Sequence, residues 1–166
     1  MAQAKKAFLQ KRNLLTSNID LGIRKSFLKA FVWSVALYGS ETWTIGAAEK
    51  RRIEAFEMWC YRRMMKIRWV DRVTNEEVLR RVGEERCFWR LLMKRRDRLV
   101  GHIQRHPGIA SLVMEGRFED RNCRGRPRLE YVKQIAADVG CSSYVAMKRL
   151  AQDREAWRAA SNQSRD

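Results

Sequence analysis

Apolar positions recur at helical spacing along almost the whole chain. The clearest case runs from Ala47 to about Arg68. At 100° per residue, Ile53, Phe56, Cys60, Met64 and Ile67 fall within roughly an 80° stripe. Arg51, Arg62 and Lys66 fall on the opposite side, and Met58 and Met65 form a second narrow apolar ridge beside them. The pattern predicts a helix with a core face and a basic face.

Shorter segments follow the same logic. Ala2 to Arg12 reads as a short basic helix, followed by a break at Thr16-Ser17-Asn18. Asp20 is a fair N-cap for a helix running to about Tyr38, punctuated by Gly39-Ser40. Thr74 with Glu77 spells a capping box for a helix ending at Gly83. From Glu84 to Arg105, Phe88, Leu92, Leu99 and Ile103 form an apolar seam, while Arg86, Arg90, Lys94 and Arg98 form a cationic ridge. Pro107-Gly108 is a strong stop. Beyond Ile109 the helical period fails, so residues 110–128 are expected to form a short β-hairpin or an extended basic loop. Helices resume over Leu129 to Val139, capped by Gly140, and again over Ser143 to about Ala160, as one helix or two. The expected fold is all-α, a helical bundle with that one irregular segment, organised as residues 1–70, 71–106, 107–128 and 129–166.

Charge narrows the partner. The formal net charge is +16 and the pI about 10.5, far from the usual range of a metabolic enzyme. Such an excess favours a polyanion, most often nucleic acid. Residues 1–70 hold 14 Lys/Arg against 5 Asp/Glu, so most of the phosphate grip is expected there. The hydrophobic fraction of 45% and six tryptophans point to a folded chain. The densest apolar run, Ala30 to Tyr38, spans nine residues, too few for a membrane helix. The N-terminus lacks a signal-peptide pattern, and the four cysteines lie far apart. The expectation is an intracellular protein, nuclear or cytoplasmic, with free thiols and no membrane partner.

Candidate chemistry is binding rather than catalysis. Arg124-Gly125-Arg126-Pro127 is spelled like an AT-hook, a minor-groove segment for A·T-rich DNA. The Pro-poor, Gly-poor, Trp-rich context favours a basic loop that places Arg124, Arg126 and Arg128 on phosphates; a free hook and a solvated turn are the other readings. Arg51, Arg62, Arg63 and Lys66 carry charge poorly compensated on their own helix, with Glu54 and Glu57 the acids among them. Arg68, Arg90 and Lys94 join this set, as do Lys5, Lys6, Lys11 and Arg12. Trp69, beside Arg68, is the tryptophan most suited to stacking on a base. His102 and His106 have the spacing of half a zinc site, but no cysteine pair supplies the other half. No metal, cofactor or catalytic set is expected.

The stretches LYGSETW (Leu37–Trp43), FEMWCYRRMMKIRWVDRVTNEEVLRRVGE (Phe56–Glu84), GHIQRH (Gly101–His106) and EGRFEDRNCRGRPR (Glu115–Arg128) occur in that order. Together they resemble the C-terminal part of the endonuclease–reverse transcriptase of non-LTR retrotransposons of the RTE/CR1/jockey-like kind. The resemblance covers roughly residues 4–135. It implies the helical thumb and the segment after it, which hold template–primer duplex and contribute to binding element RNA or target DNA. The fingers, palm and endonuclease of that family would lie upstream, and no two of the seven aspartates are adjacent to serve as the palm's metal pair. The resemblance therefore implies a segment of an RNA-directed DNA polymerase with no catalysis of its own. Its expected partners are RNA, DNA or an RNA–DNA hybrid, and the absent palm. Some relatives carry a Cys/His zinc knuckle, from which this sequence departs. Two other readings stand beside it: a stand-alone AT-hook-like DNA-binding protein, and a protein-interaction module or functionless remnant that uses Met58, Met65 and surplus tryptophans.

Overall fold

A computed structural model of the chain describes residues 1–106, 108–114 and 131–163. Every element among them is helical and none is a strand, so the protein is all-α there. Its residues group into two compact units. One comprises Met1–Ser40 and Ile45–Leu92, the other Glu41–Thr44 and Met93–Asp166. The boundary thus falls inside the segment 71–106, between Leu92 and Met93.

The first unit opens with α1 (Ala2–Gln10) and α2 (Arg12–Leu15). Next, α3 (Leu21–Phe27) begins where the Asp20 carboxylate accepts the N–H groups of Gly22 at 2.8 Å and Ile23 at 3.3 Å. The helix does not continue as plain α. It widens into a π-helical stretch, Leu28–Trp33, before α4 (Ser34–Ala36) closes it. Against this stretch and α4 packs α1. Ala4, Phe8, Leu28, Val32 and Trp33 are buried. Gly39 then turns the chain at φ +66°, a conformation glycine adopts without Cβ strain.

Helix α5 (Ala47–Met64) carries the predicted stripe inward, with Ile53, Phe56, Cys60 and Met64 all buried. It stops short of the expected end because Lys66 takes a left-handed backbone at φ +56°, which leaves Ile67 outside the helix. Met58 is also buried, beside the core stripe. A 3-10 turn, Trp69–Asp71, leads to α6 (Asn75–Val82). Thr74 caps α6 by accepting the Glu77 N–H at 3.2 Å. The predicted return bond is replaced: the Glu77 carboxylate binds Arg80 and Arg81 instead, which holds it well below the carboxylate range, at about 2.

The long helix α7 (Phe88–Arg105) starts later than expected because its first N–H groups have a distant acceptor. Glu57 on α5 accepts from the backbone of Cys87 and Phe88, each at 3.0 Å. Phe88 then packs edge-on against Trp33 at 5.0 Å and Phe56 at 5.8 Å.

The second unit takes the rest of α7, then α8 (Ile109–Met114), α9 (Tyr131–Asp138), α10 (Tyr144–Gln152) and α11 (Arg154–Gln163). The irregular segment expected from residue 110 therefore begins as a helix: six residues were too few to display a period. The rest of it lies outside the described residues. Val100, Ile135, Val139, Met147, Ala151 and Trp157 form the core. Gly101 lets α11 approach α7, since a Cβ there would meet the Trp157 ring at 2.6 Å. The Trp157 indole N–H donates to the Asp97 carbonyl at 2.9 Å. Arg96, fully buried, pairs with Asp138 and donates to Gln134 at 2.9 Å. Tyr131 donates to the Glu41 carbonyl, and the Glu41 carboxylate lies 3.6 Å from Arg95.

Candidate nucleic-acid interface

The basic face of α5 is built around one indole. Trp59, half-buried, packs edge-on against Phe8 at 5.1 Å and stacks with Phe56 at 6.2 Å. The Lys5 ammonium lies 5.4 Å from its centroid and the Arg63 guanidinium 4.9 Å. Residues from the two ends of the first segment are thus brought together by an aromatic platform that attracts cations. Beside it, Arg51, Arg62 and Arg86 line a groove of about 390 Å³ floored by Met58 and Trp59. Arg62 is partly committed, donating to the Val73 carbonyl at 2.7 Å and to Asn75 at 2.9 Å, which ties the loop before α6. Arg86 reaches Glu54 at 3.8 Å.

The other predicted cations separate by environment. Lys6, Arg12 and Arg51 are exposed, and Lys11 lies 5.5 Å over Phe31. None of Lys5, Lys6, Lys11, Arg12, Arg51, Arg63 or Lys66 pairs with a carboxylate among the described residues. Arg90, by contrast, is held 2.7 Å from Glu85. Lys94 belongs to the second unit. Arg124, Arg126 and Arg128, and with them the hook-like spelling, lie outside the described residues.

The 3-10 turn after α5 makes the most exposed feature. Trp69 is 96% exposed and Val70 70%. The Arg68 N–H donates to the Asp71 carboxylate at 2.7 Å, closing the turn, and the Arg68 side chain lies 3.7 Å from the same residue. Lys66 and Arg72 bracket the turn, both with left-handed backbones, at φ +56° and +46°. A non-glycine residue held there costs about 1–2 kcal/mol. The fold therefore maintains two strained cationic positions around a tryptophan that packs on almost nothing. Arg72 was not singled out in the sequence, because its role depends on backbone geometry rather than spacing.

Other candidate groups are structural. Burial pushes the Cys87 thiol up to about 11 and drives that of Cys60 upward too, so neither is a thiolate near neutrality. His102 and His106 place their ring centroids 4.5 Å apart. No group of three or more His, Cys, Asp or Glu among the described residues is placed to hold a metal ion. No helix among them is long and apolar enough to cross a membrane.

No protein-family model matches the chain, and neither a curated protein nor a solved structure matches it.

Proposed function

We propose that this chain is a non-catalytic nucleic-acid-binding segment, the thumb and post-thumb region of a non-LTR retrotransposon reverse transcriptase. The observation that carries the binding reading is Trp69, exposed on a turn whose neighbours Lys66, Arg68 and Arg72 are all cationic. Single-stranded and junction nucleic acids are held by this pairing: an aromatic face for a base and cations for the adjoining phosphates. The unpaired cations of α1 and α5 extend the charged surface, in keeping with the +16 of the chain. Binding then follows the phosphate backbone rather than base sequence and weakens steeply with salt, as counterion release requires. The reverse-transcriptase assignment rests on the four ordered motifs.

Fluorescence-anisotropy titrations against an RNA–DNA hybrid, mixed duplex DNA, A·T-rich duplex and single-stranded RNA, each at two salt concentrations, test the reading. Salt-sensitive binding without an A·T advantage is expected. Trp69→Ala should weaken it by about 1–3 kcal/mol while leaving the melting temperature unchanged. Absence of binding at low salt refutes the proposal, and selective A·T-duplex binding transfers the case to the hook-like segment.

A further inference from the structure

The second unit contains a cleft that the sequence reading did not assemble. It has a volume of about 590 Å³, within the ~300–1,000 Å³ typical of ligand sites. One wall is α7, which contributes Lys94, Arg98, His102 and Arg105. The other is α11, which contributes Arg154 and Arg158. The helical repeat explains the alignment: 94, 98, 102 and 105 share a face of α7, and 154 and 158 share a face of α11. The contact of Trp157 with Gly101 brings the two faces close.

Five permanent cations therefore line one concavity with a single carboxylate, the buried Asp97. Like charges confined between two helices repel one another unless an anion occupies the space. Burial first, then the charges of Arg154 and Arg158, push the Arg105 guanidinium below its ordinary value.

A second observation is independent of charge. Ser161, which also lines the cleft, is only 6% exposed, and its hydroxyl has no hydrogen-bond partner among the described residues. A buried hydroxyl without a partner is destabilising, having given up its bond to water. An oxyanion seated between the arginines would accept that hydrogen bond.

We propose that this cleft binds phosphate groups, held by Arg105, Arg154 and Arg158 with Lys94 and Arg98 at the α7 wall and Ser161 donating from below. Those phosphates belong either to a free polyphosphate compound or to a nucleic-acid backbone. The proposal does not depend on the Trp69 turn, which lies in the other unit.

Calorimetric titration of the full chain with sodium tripolyphosphate in low-salt buffer tests it. The Arg154→Gln/Arg158→Gln variant should bind roughly tenfold more weakly or worse, and Ser161→Ala about threefold more weakly. The charge-matched variant Arg80→Gln/Arg81→Gln, on α6 of the first unit, should change affinity by less than about twofold. Without ligand, the Arg154→Gln/Arg158→Gln variant should melt higher than the wild type at low salt, because repulsion is relieved; a merely structural role predicts a lower melting temperature. Parallel titrations with a duplex oligonucleotide distinguish the sources. Equal losses for both ligands assign the site to backbone phosphates, and loss for tripolyphosphate alone assigns it to a free compound. No tripolyphosphate binding, or equal weakening by the two charge-matched pairs, overturns the proposal.

Discussion

Replacing Gly101 by alanine sets two physical effects of opposite sign against each other. In a helix interior, Gly→Ala ordinarily stabilises by about 0.8–1.0 kcal/mol. Here the new methyl would stand 2.6 Å from the Trp157 indole nitrogen and 2.8 Å from its Cδ1, distances no carbon contact tolerates. Trp157 is 3% exposed and packed into the second-unit core, so moving its ring disturbs that packing. Overpacking of this kind costs about 1–3 kcal/mol. Displacing the ring also breaks its bond to the Asp97 carbonyl, leaving a buried donor unpaired at a cost of about 1–3 kcal/mol. The net expectation is a loss of about 1–5 kcal/mol. Urea unfolding followed by near-UV circular dichroism and tryptophan fluorescence reads it. A Gly101→Ala protein as stable as the wild type, or more so, would refute the close approach of α11 to α7. The substitution should also weaken tripolyphosphate binding, since Arg154 and Arg158 ride on the displaced helix.

Three further perturbations have defined signs. Burial raises the Glu57 carboxyl above its ordinary 4.5, against the backbone bonds from Phe88 and Cys87 that lower it. Its stability contribution is therefore complete below pH 4.5 and lost as pH rises through the folded value. Glu57→Gln should accordingly gain stability relative to the wild type as pH rises from 4.5 through the folded value, and a difference that stays constant with pH would contradict the raised carboxyl. Asp138→Ala strands the buried Arg96 guanidinium and should cost about 3–5 kcal/mol in chemical denaturation, whereas Arg96→Met in the same background should recover much of it. Arg72→Gly relieves a left-handed strain of about 1–2 kcal/mol against a glycine entropy cost of about 0.5–1 kcal/mol. It should raise the melting temperature slightly while weakening nucleic-acid binding.

What the sequence disclosed was set by local physics. The stripe of α5 was readable because Ile53, Phe56, Cys60 and Met64 recur over about three turns, and the starts and stops at Asp20, Thr74, Gly83 and Gly140 because capping needs only neighbours. The α7 start differs from the expected one because its acceptor, Glu57, lies 31 residues before Phe88. The π-helical widening at Leu28–Trp33 left no mark in residue spacing, and α8 was too short to have a period. The same divide runs through the sites. Lys5 and Arg63 were named as cations, but their shared indole belongs to tertiary structure. Arg154 and Arg158 passed unnoticed because residues 129–166 hold 6 Lys/Arg against 5 Asp/Glu, and Arg105 because it falls outside the four-residue repeat of Arg86, Arg90, Lys94 and Arg98. Only the packing of one helix on another gathers them.

The path of the backbone has a practical corollary for anyone dissecting the molecule. Four residues, Glu41–Thr44, lie inside the stretch of sequence that makes up the first unit yet belong to the second. There Glu41 receives the Tyr131 hydroxyl and faces Arg95. No single cut separates the two units cleanly. A fragment starting at Met93 would forfeit its Glu41 partners, and one ending at Leu92 would carry them away with nothing to bind. The modularity is spatial rather than linear, so a deletion series judged by sequence alone would report interdependence where the cause is only the threading of one short strap.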